Sequence, residues 1–138
     1  MLDSERGKIR NRNFARQLRD FSGLRWGKIT PTDIDGFVDF QDKIFVFIET
    51  KFNGREMSTG QRMALERLCD ACAAGGKHSI VLIASHDNED AESIDIDVAN
   101  LPVVQFRTNG KWSKPKDNIV VRQAIDKFKE FVNREMLT

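Results

Sequence analysis

"IFVFIETK", residues 44–51, constrains the fold of this chain more than any other stretch. Side chains of a strand alternate between its two faces, and here both sets are apolar until Glu49. Phe45, Phe47, Glu49 and Lys51 share one face; Ile44, Val46 and Ile48 share the other with Thr50. A strand that is apolar on both faces belongs inside a sheet covered on each side. Residues 34–40 read as a second strand, and Gln41-Asp42-Lys43 as a three-residue turn between the two.

That turn fixes a register. Phe40 pairs with Ile44, Val38 with Val46 and Gly36 with Ile48, which makes one apolar face. On the opposite face Phe37 meets Phe47, Asp35 meets Glu49 and Asp33 meets Lys51. Directly opposed residues have Cβ atoms about 5 Å apart, so two carboxylates confront each other, and partial burial adds to their repulsion. A divalent cation reverses the sign, because paired hard oxygens suit Mg²⁺. Lys51, about 7 Å further along the same face, would flank the ion. A carboxylate-bound Mg²⁺ acidifies its water and polarises a phosphoryl oxygen. A neighbouring ammonium can orient the attacking water and stabilise the developing charge. This is the chemistry of phosphodiester hydrolysis. On the residues alone an ordinary reading stands beside it: a solvent-facing hairpin whose acids pair with Lys51 and nearby bases.

The rest of the chain supplies the frame. Residues 4–22 are expected to form an amphipathic helix, with Phe14, Leu18 and Phe21 on one side and Lys8, Arg12, Arg16 and Arg19 on another. A short strand is expected around residues 24–29. Ser58 and Gln61 make an S-x-x-Q capping box ahead of a helix to about Ala74, which Gly75-Gly76 ends. "SIVLIAS" reads as a buried strand, "SHDNEDAESIDID" as an acidic loop, and "PVVQFRTNGKWS" as a hairpin on an Asn-Gly turn. Residues 118–136 close the chain with a helix whose Val121, Ile125, Phe128 and Val132 form a core stripe. The helix between strands 44–51 and 79–85 is a crossover, so those strands run parallel. The expected class is α/β: a mixed central sheet flanked by helices, in the order helix, three strands, helix, strand, with a C-terminal hairpin and helix added.

Asp35, followed by Glu49-Thr50-Lys51 at the end of the next apolar strand, resembles the PD-(D/E)XK nuclease superfamily, and so does the element order over roughly residues 5–85. Ile34 occupies the position that the family's name gives to proline, and Pro31 lies four residues before Asp35. The resemblance implies a restriction-endonuclease-like fold and cleavage of DNA with Mg²⁺, for which Mn²⁺ can substitute. It implies Asp35 and Glu49 as metal ligands, the Thr50 carbonyl as a further ligand, and Lys51 as the catalytic lysine. It also implies that Gln61 lies near the metal and substrate, although the capping box with Ser58 accounts for that residue too. Members often draw an extra acid from the first helix, which points to Glu5; an ion pair with its basic neighbours explains Glu5 equally. Asp33 is either a second ligand or the ion-pair partner of Lys51.

Nucleic-acid contacts are sought among the cations. The stripe Lys8, Arg12, Arg16, Arg19 can track a phosphate backbone or simply be solvated. Arg55 and Lys111 lie on loops as phosphate contacts. Trp112 either stacks on a base or caps the core beneath its hairpin.

With 138 residues the chain is expected to be one domain spanning 1–138. Its size favours reading DNA structure or ends, as Holliday-junction resolvases do, and a homodimer that cuts both strands. The alternative is a catalytically silent relative that binds DNA or a protein. No run approaches the roughly 18 apolar residues of a membrane span, and the charged N-terminus lacks a signal-peptide core, so the expected location is cytoplasmic. The only cysteines, Cys69 and Cys72, fall within a helical pattern and are expected to be reduced rather than redox-active or zinc-bound.

Overall fold

The computed structural model describes residues 20–88 and 95–136. The chain divides between Asp33 and Ile34 into two units, and each is described by itself. In the first, Trp26 and Ile29 exchange backbone hydrogen bonds of 2.9 and 3.0 Å around Gly27-Lys28, with Gly27 at φ 63°. The strand expected at residues 24–29 is therefore a single bridge closing a tight turn. A glycine at the fourth position of the run lets the chain fold back on itself before a strand can form. The helix expected over residues 4–22 lies largely outside the described residues, and residues 20–22 are not helical.

The second unit is built on a five-stranded sheet. Its strands are β1 (Gly36–Phe40), β2 (Ile44–Phe52), β3 (His78–His86), β4 (Val103–Thr108) and β5 (Lys111–Ser113), in spatial order β1-β2-β3-β4-β5. β1 and β2 pair antiparallel from Phe40↔Ile44 to Gly36↔Ile48, which is the register that the three-residue turn dictates. Gln41 and Asp42 take left-handed φ of 55° and 63°, and Asp39 Oδ1 accepts from the Asp42 amide at 2.7 Å. Asn and Asp tolerate that region best among residues with a Cβ; here the Asp39 bond holds the strain in place.

β2 and β3 pair in parallel from Ile44↔His78 to Phe52↔His86. Helix α1 (Thr59–Ala74) makes the crossover between them. Ser58 Oγ accepts from the Gln61 amide at 3.2 Å and so satisfies one orphan N–H of the first turn. At the other end the Lys77 amide bonds Cys72 O at 2.9 Å and the Gly76 amide bonds Ala73 O at 3.1 Å. These are the paired bonds of a Schellman motif. Its left-handed position falls on Gly76, φ 91°, where a Cβ would be strained.

The C-terminal hairpin extends the sheet rather than lying beside it. β3 pairs antiparallel with β4, with a bulge between Ile83 and Ala84, and β4 pairs with β5 around Asn109-Gly110. The outer neighbour of β3 thus comes from the C-terminal part of the chain, and of the three strands expected before the crossover only the β1–β2 hairpin forms among the described residues. Helix α2 (Val121–Met136) covers one face, where Val121 and Val132 pack on Ile44, Val46, Ile80 and Leu82. Helix α1 covers the other, where Leu65 and Cys69 pack on Phe47, Val81 and Ile83. Fully burying each such aliphatic side chain is worth roughly 1.5–3 kcal/mol. An α/β sheet with a helix on each face results. No helix among the described residues is long and apolar enough to cross a membrane.

Candidate functional site

The α1-facing row of β2 continues from Phe47 to Glu49 and Lys51, so a strand otherwise packed against apolar side chains delivers a carboxylate beneath the first turn of α1. Glu49 is 3% exposed. Gln61, third residue of α1, donates from Nε2 to Glu49 Oε1 at 2.9 Å and accepts from Lys51 Nζ at Oε1, 2.7 Å. Lys51 Nζ closes the triangle on Glu49 Oε1 at 3.3 Å. Both contacts to Glu49 fall on its Oε1. Glu49 Oε2 is buried with no hydrogen-bond partner. Leaving a buried charged acceptor unsatisfied costs about 1–3 kcal/mol or more.

Burial pushes the Glu49 carboxyl above its ordinary value, and the negative charge of Asp35 pushes it further. Lys51 and Gln61 pull the other way without cancelling these two effects. The carboxyl therefore resists ionisation although an ammonium stands beside it.

Asp35 reaches this neighbourhood differently from the expected cross-strand pair. The β1–β2 ladder stops at Gly36↔Ile48, so Asp35 precedes the strand rather than opposing Glu49 within it. Its Oδ2 accepts from the Thr50 amide at 2.7 Å and from the Thr50 hydroxyl at 2.9 Å. The carboxylate takes the place of the next ladder carbonyl and ends the hairpin. The N–H and C=O of a strand residue point to the same side, so the Thr50 carbonyl faces the same edge as Asp35.

Asp33 is the last residue of the first unit, and the expected Asp33–Lys51 pair is not among the paired residues of the β1–β2 ladder. Glu49 and Gln61 are the partners that hold Lys51. The capping box is only half formed. Ser58 caps through the Gln61 amide, while the Gln61 side chain turns to Glu49 and Lys51 in place of the box's return bond. Glu5, Lys8, Arg12, Arg16 and Arg19 lie outside the described residues.

Arg55 is exposed on the loop after β2, its guanidinium 5.2 Å from the Phe52 ring centre. Lys111 opens β5 and is exposed. Trp112 is half-buried against the α1-side core, and its Nε1 donates to Glu66 Oε1 at 2.6 Å. Arg62 and Arg107 lie 4.6 and 5.8 Å from its ring centre. The ring is thus engaged within the fold, capping the core. Of this cluster, the Arg62–Glu66 spacing on α1 was readable in the sequence. The bidentate pair of Arg107 with Asp70, at 3.1 and 2.7 Å, joins residues far apart in the chain and had no local signal.

Cys69 and Cys72 are free thiols on α1, and burial pushes the Cys69 thiol up, away from thiolate chemistry. Among the described residues no three His, Cys, Asp or Glu side chains gather in a metal-binding group. Asp35 and Glu49 form a pair, and a third oxygen would have to come from the backbone. The chain matches no protein-family model, no curated protein and no solved structure.

Proposed function

We propose that this chain is a Mg²⁺-dependent nuclease of the PD-(D/E)XK kind that hydrolyses phosphodiester bonds in DNA. One observation carries the reading: Glu49, on β2 and beside Asp35, keeps a buried Oε2 without a partner. An acceptor so placed fits a hard divalent cation, and Asp35 together with the Thr50 carbonyl would complete an oxygen set for Mg²⁺ or Mn²⁺. Bound there, the ion would neutralise the paired acids and acidify a water.

The roles of the chain's own groups follow from their positions. Gln61 orients the Glu49 carboxylate and holds the Lys51 ammonium at the site. Lys51 directs the attacking water and stabilises charge on the phosphoryl oxygens. Thr50, through its two bonds to Asp35 Oδ2, fixes the direction of that carboxylate. With this activity go a restriction-endonuclease-like core and a homodimer able to cut both strands, on branched substrates of the Holliday-junction type.

A second reading, a module that binds nucleic acid or protein without cutting, is favoured by one feature. Lys51 already has Glu49 and Gln61 as partners, and Asp35 already has Thr50, so part of the network closes on itself. Cleavage of branched, linear duplex and single-stranded DNA with Mg²⁺ decides between the two. Wild type is expected to cut, and Lys51→Ala and Glu49→Gln to lose at least about 100-fold, the lower bound for one positioned charge-stabilising group. Wild type inert on every substrate, or variants as active as wild type, would remove the nuclease reading.

A further inference from the structure

A cleft of about 780 Å³ opens on the α1 side of the sheet, next to the Glu49 row. Ile83, in its floor, is the cross-strand partner of Glu49, and Thr59 and Arg62, in its wall, bracket Gln61 on α1. Adjacent strands lie about 4.8 Å apart, so the cleft begins one strand away from the buried carboxylate. Its walls are firm. The Val103 amide bonds Ile119 O at 2.9 Å and the Ser85 amide bonds Pro102 O at 3.1 Å, which ties the segment before α2 to the sheet.

The charge of the lining is uneven. Arg55, Arg62, Lys114 and Lys116 contribute cations against Glu56 and Asp117, in a chain whose overall net charge is +1. Lys114 and Lys116 are exposed and make no ion pair with another described residue. Between the cations lie the apolar Met57, Ile83, Pro102, Pro115 and Ile119 together with the polar Thr59, Gln105 and Asn118. Cations interspersed with apolar side chains suit a polymer that alternates anionic groups with flat apolar ones. A nucleic-acid strand with unpaired bases is such a polymer. In a duplex the base faces are stacked on one another, and only the phosphates would meet this surface.

We infer that this cleft binds a single nucleic-acid strand, its phosphates held by Arg55, Lys114 and Lys116 and its bases laid on Met57, Pro102, Pro115 and Ile119 between them. The cleft leads that strand past Glu49 and Lys51. As a route to the cutting site the inference rests on the nuclease reading; as a binding site it stands apart from it.

Anisotropy of a labelled oligothymidylate on the full chain, in EDTA so that no cutting intervenes, tests it. Wild type is expected to prefer the single strand to a blunt duplex. Its log affinity should fall with log salt at a slope of about −0.7 for each phosphate neutralised. Lys114→Glu with Lys116→Glu should weaken binding at least about tenfold and flatten the slope by about one to two units. Arg55→Glu alone should act in the same direction by less. Unchanged thermal melts are expected for all the cleft variants, because the substituted side chains are exposed. Equal affinity of the double variant and wild type, or tighter binding of the duplex, would overturn the inference. Binding by this pattern without cleavage in Mg²⁺ would remove the catalytic reading and leave the cleft standing. Cleavage with no effect of the cleft charges would do the reverse.

Discussion

Gln61 stands over Glu49 with its amide nitrogen 2.9 Å from one carboxylate oxygen and its amide oxygen 2.7 Å from the Lys51 ammonium. An amide is suited to this position because it donates to one group and accepts from the other. A carboxylate at 61 would add a third negative charge, and an ammonium would compete with Lys51.

Gln61→Ala removes both bonds and leaves Glu49 Oε1 with Lys51 alone. The expected loss is about 1–3 kcal/mol, the range for a buried acceptor stripped of a donor. Urea unfolding reads it directly. A midpoint equal to that of wild type would mean that water replaces the amide at no cost.

Glu49 makes stability depend on pH in a direction opposite to that of most salt-bridged acids. Its folded-state pKa lies above the ordinary 4.5, chiefly through burial and then through Asp35. The native state therefore binds this proton more tightly than the unfolded state. The associated stability is fully present below 4.5 and is lost as pH rises through the folded value. Glu49→Gln should accordingly melt higher than wild type at neutral pH in EDTA, and the two should converge in acid. Adding Mg²⁺ should raise wild type selectively, by mass action on the folded state. A wild type that melts higher than Glu49→Gln in EDTA at neutral pH would show that the ionised carboxylate is already compensated.

Trp112→Phe keeps an aromatic ring beneath Arg62 and Arg107 but loses the bond to Glu66. It should destabilise by about 1 kcal/mol, the net worth of one hydrogen bond, or somewhat more because the acceptor is charged. Its affinity for single-stranded DNA should match that of wild type. Lost affinity at unaltered stability would instead give the ring to the ligand.

What could be read from the sequence divides by range. The three-residue turn sets the β1–β2 register down to Asp39↔Phe45, because hairpin pairing is local and a one-residue slip would bury the wrong face. The same locality exposes the Ser58 cap and the Gly75-Gly76 stop. Three features escaped it. The run 24–29 carries strand-forming residues, but Gly27 turns it back on itself. Asp35 was projected into the ladder by extending the alternation, whereas its side chain replaces a ladder carbonyl at Thr50. The hairpin β4–β5 docks on β3 from beyond a long acidic stretch of sequence, and no periodicity within the hairpin announces a partner so distant in the chain. At the site, Glu49 and Lys51 were legible from alternation on one strand. Gln61's side chain was pointed to only by the family resemblance, since a capping box already accounted for a glutamine there.

Helix α1 is pinned to the far edge of the sheet at two points, Glu66 to Trp112 and Asp70 to Arg107, one turn of helix apart. Two anchors on the same helical face stop rotation about the helix axis, as two bolts stop a shaft that one would let spin. Gln61 rides on that shaft, a little over one turn before the first anchor. The angle at which it meets Glu49 is thus set on β4 and β5, three strands away from Asp35, and a loosened far edge would be felt as a misaimed amide at the near one.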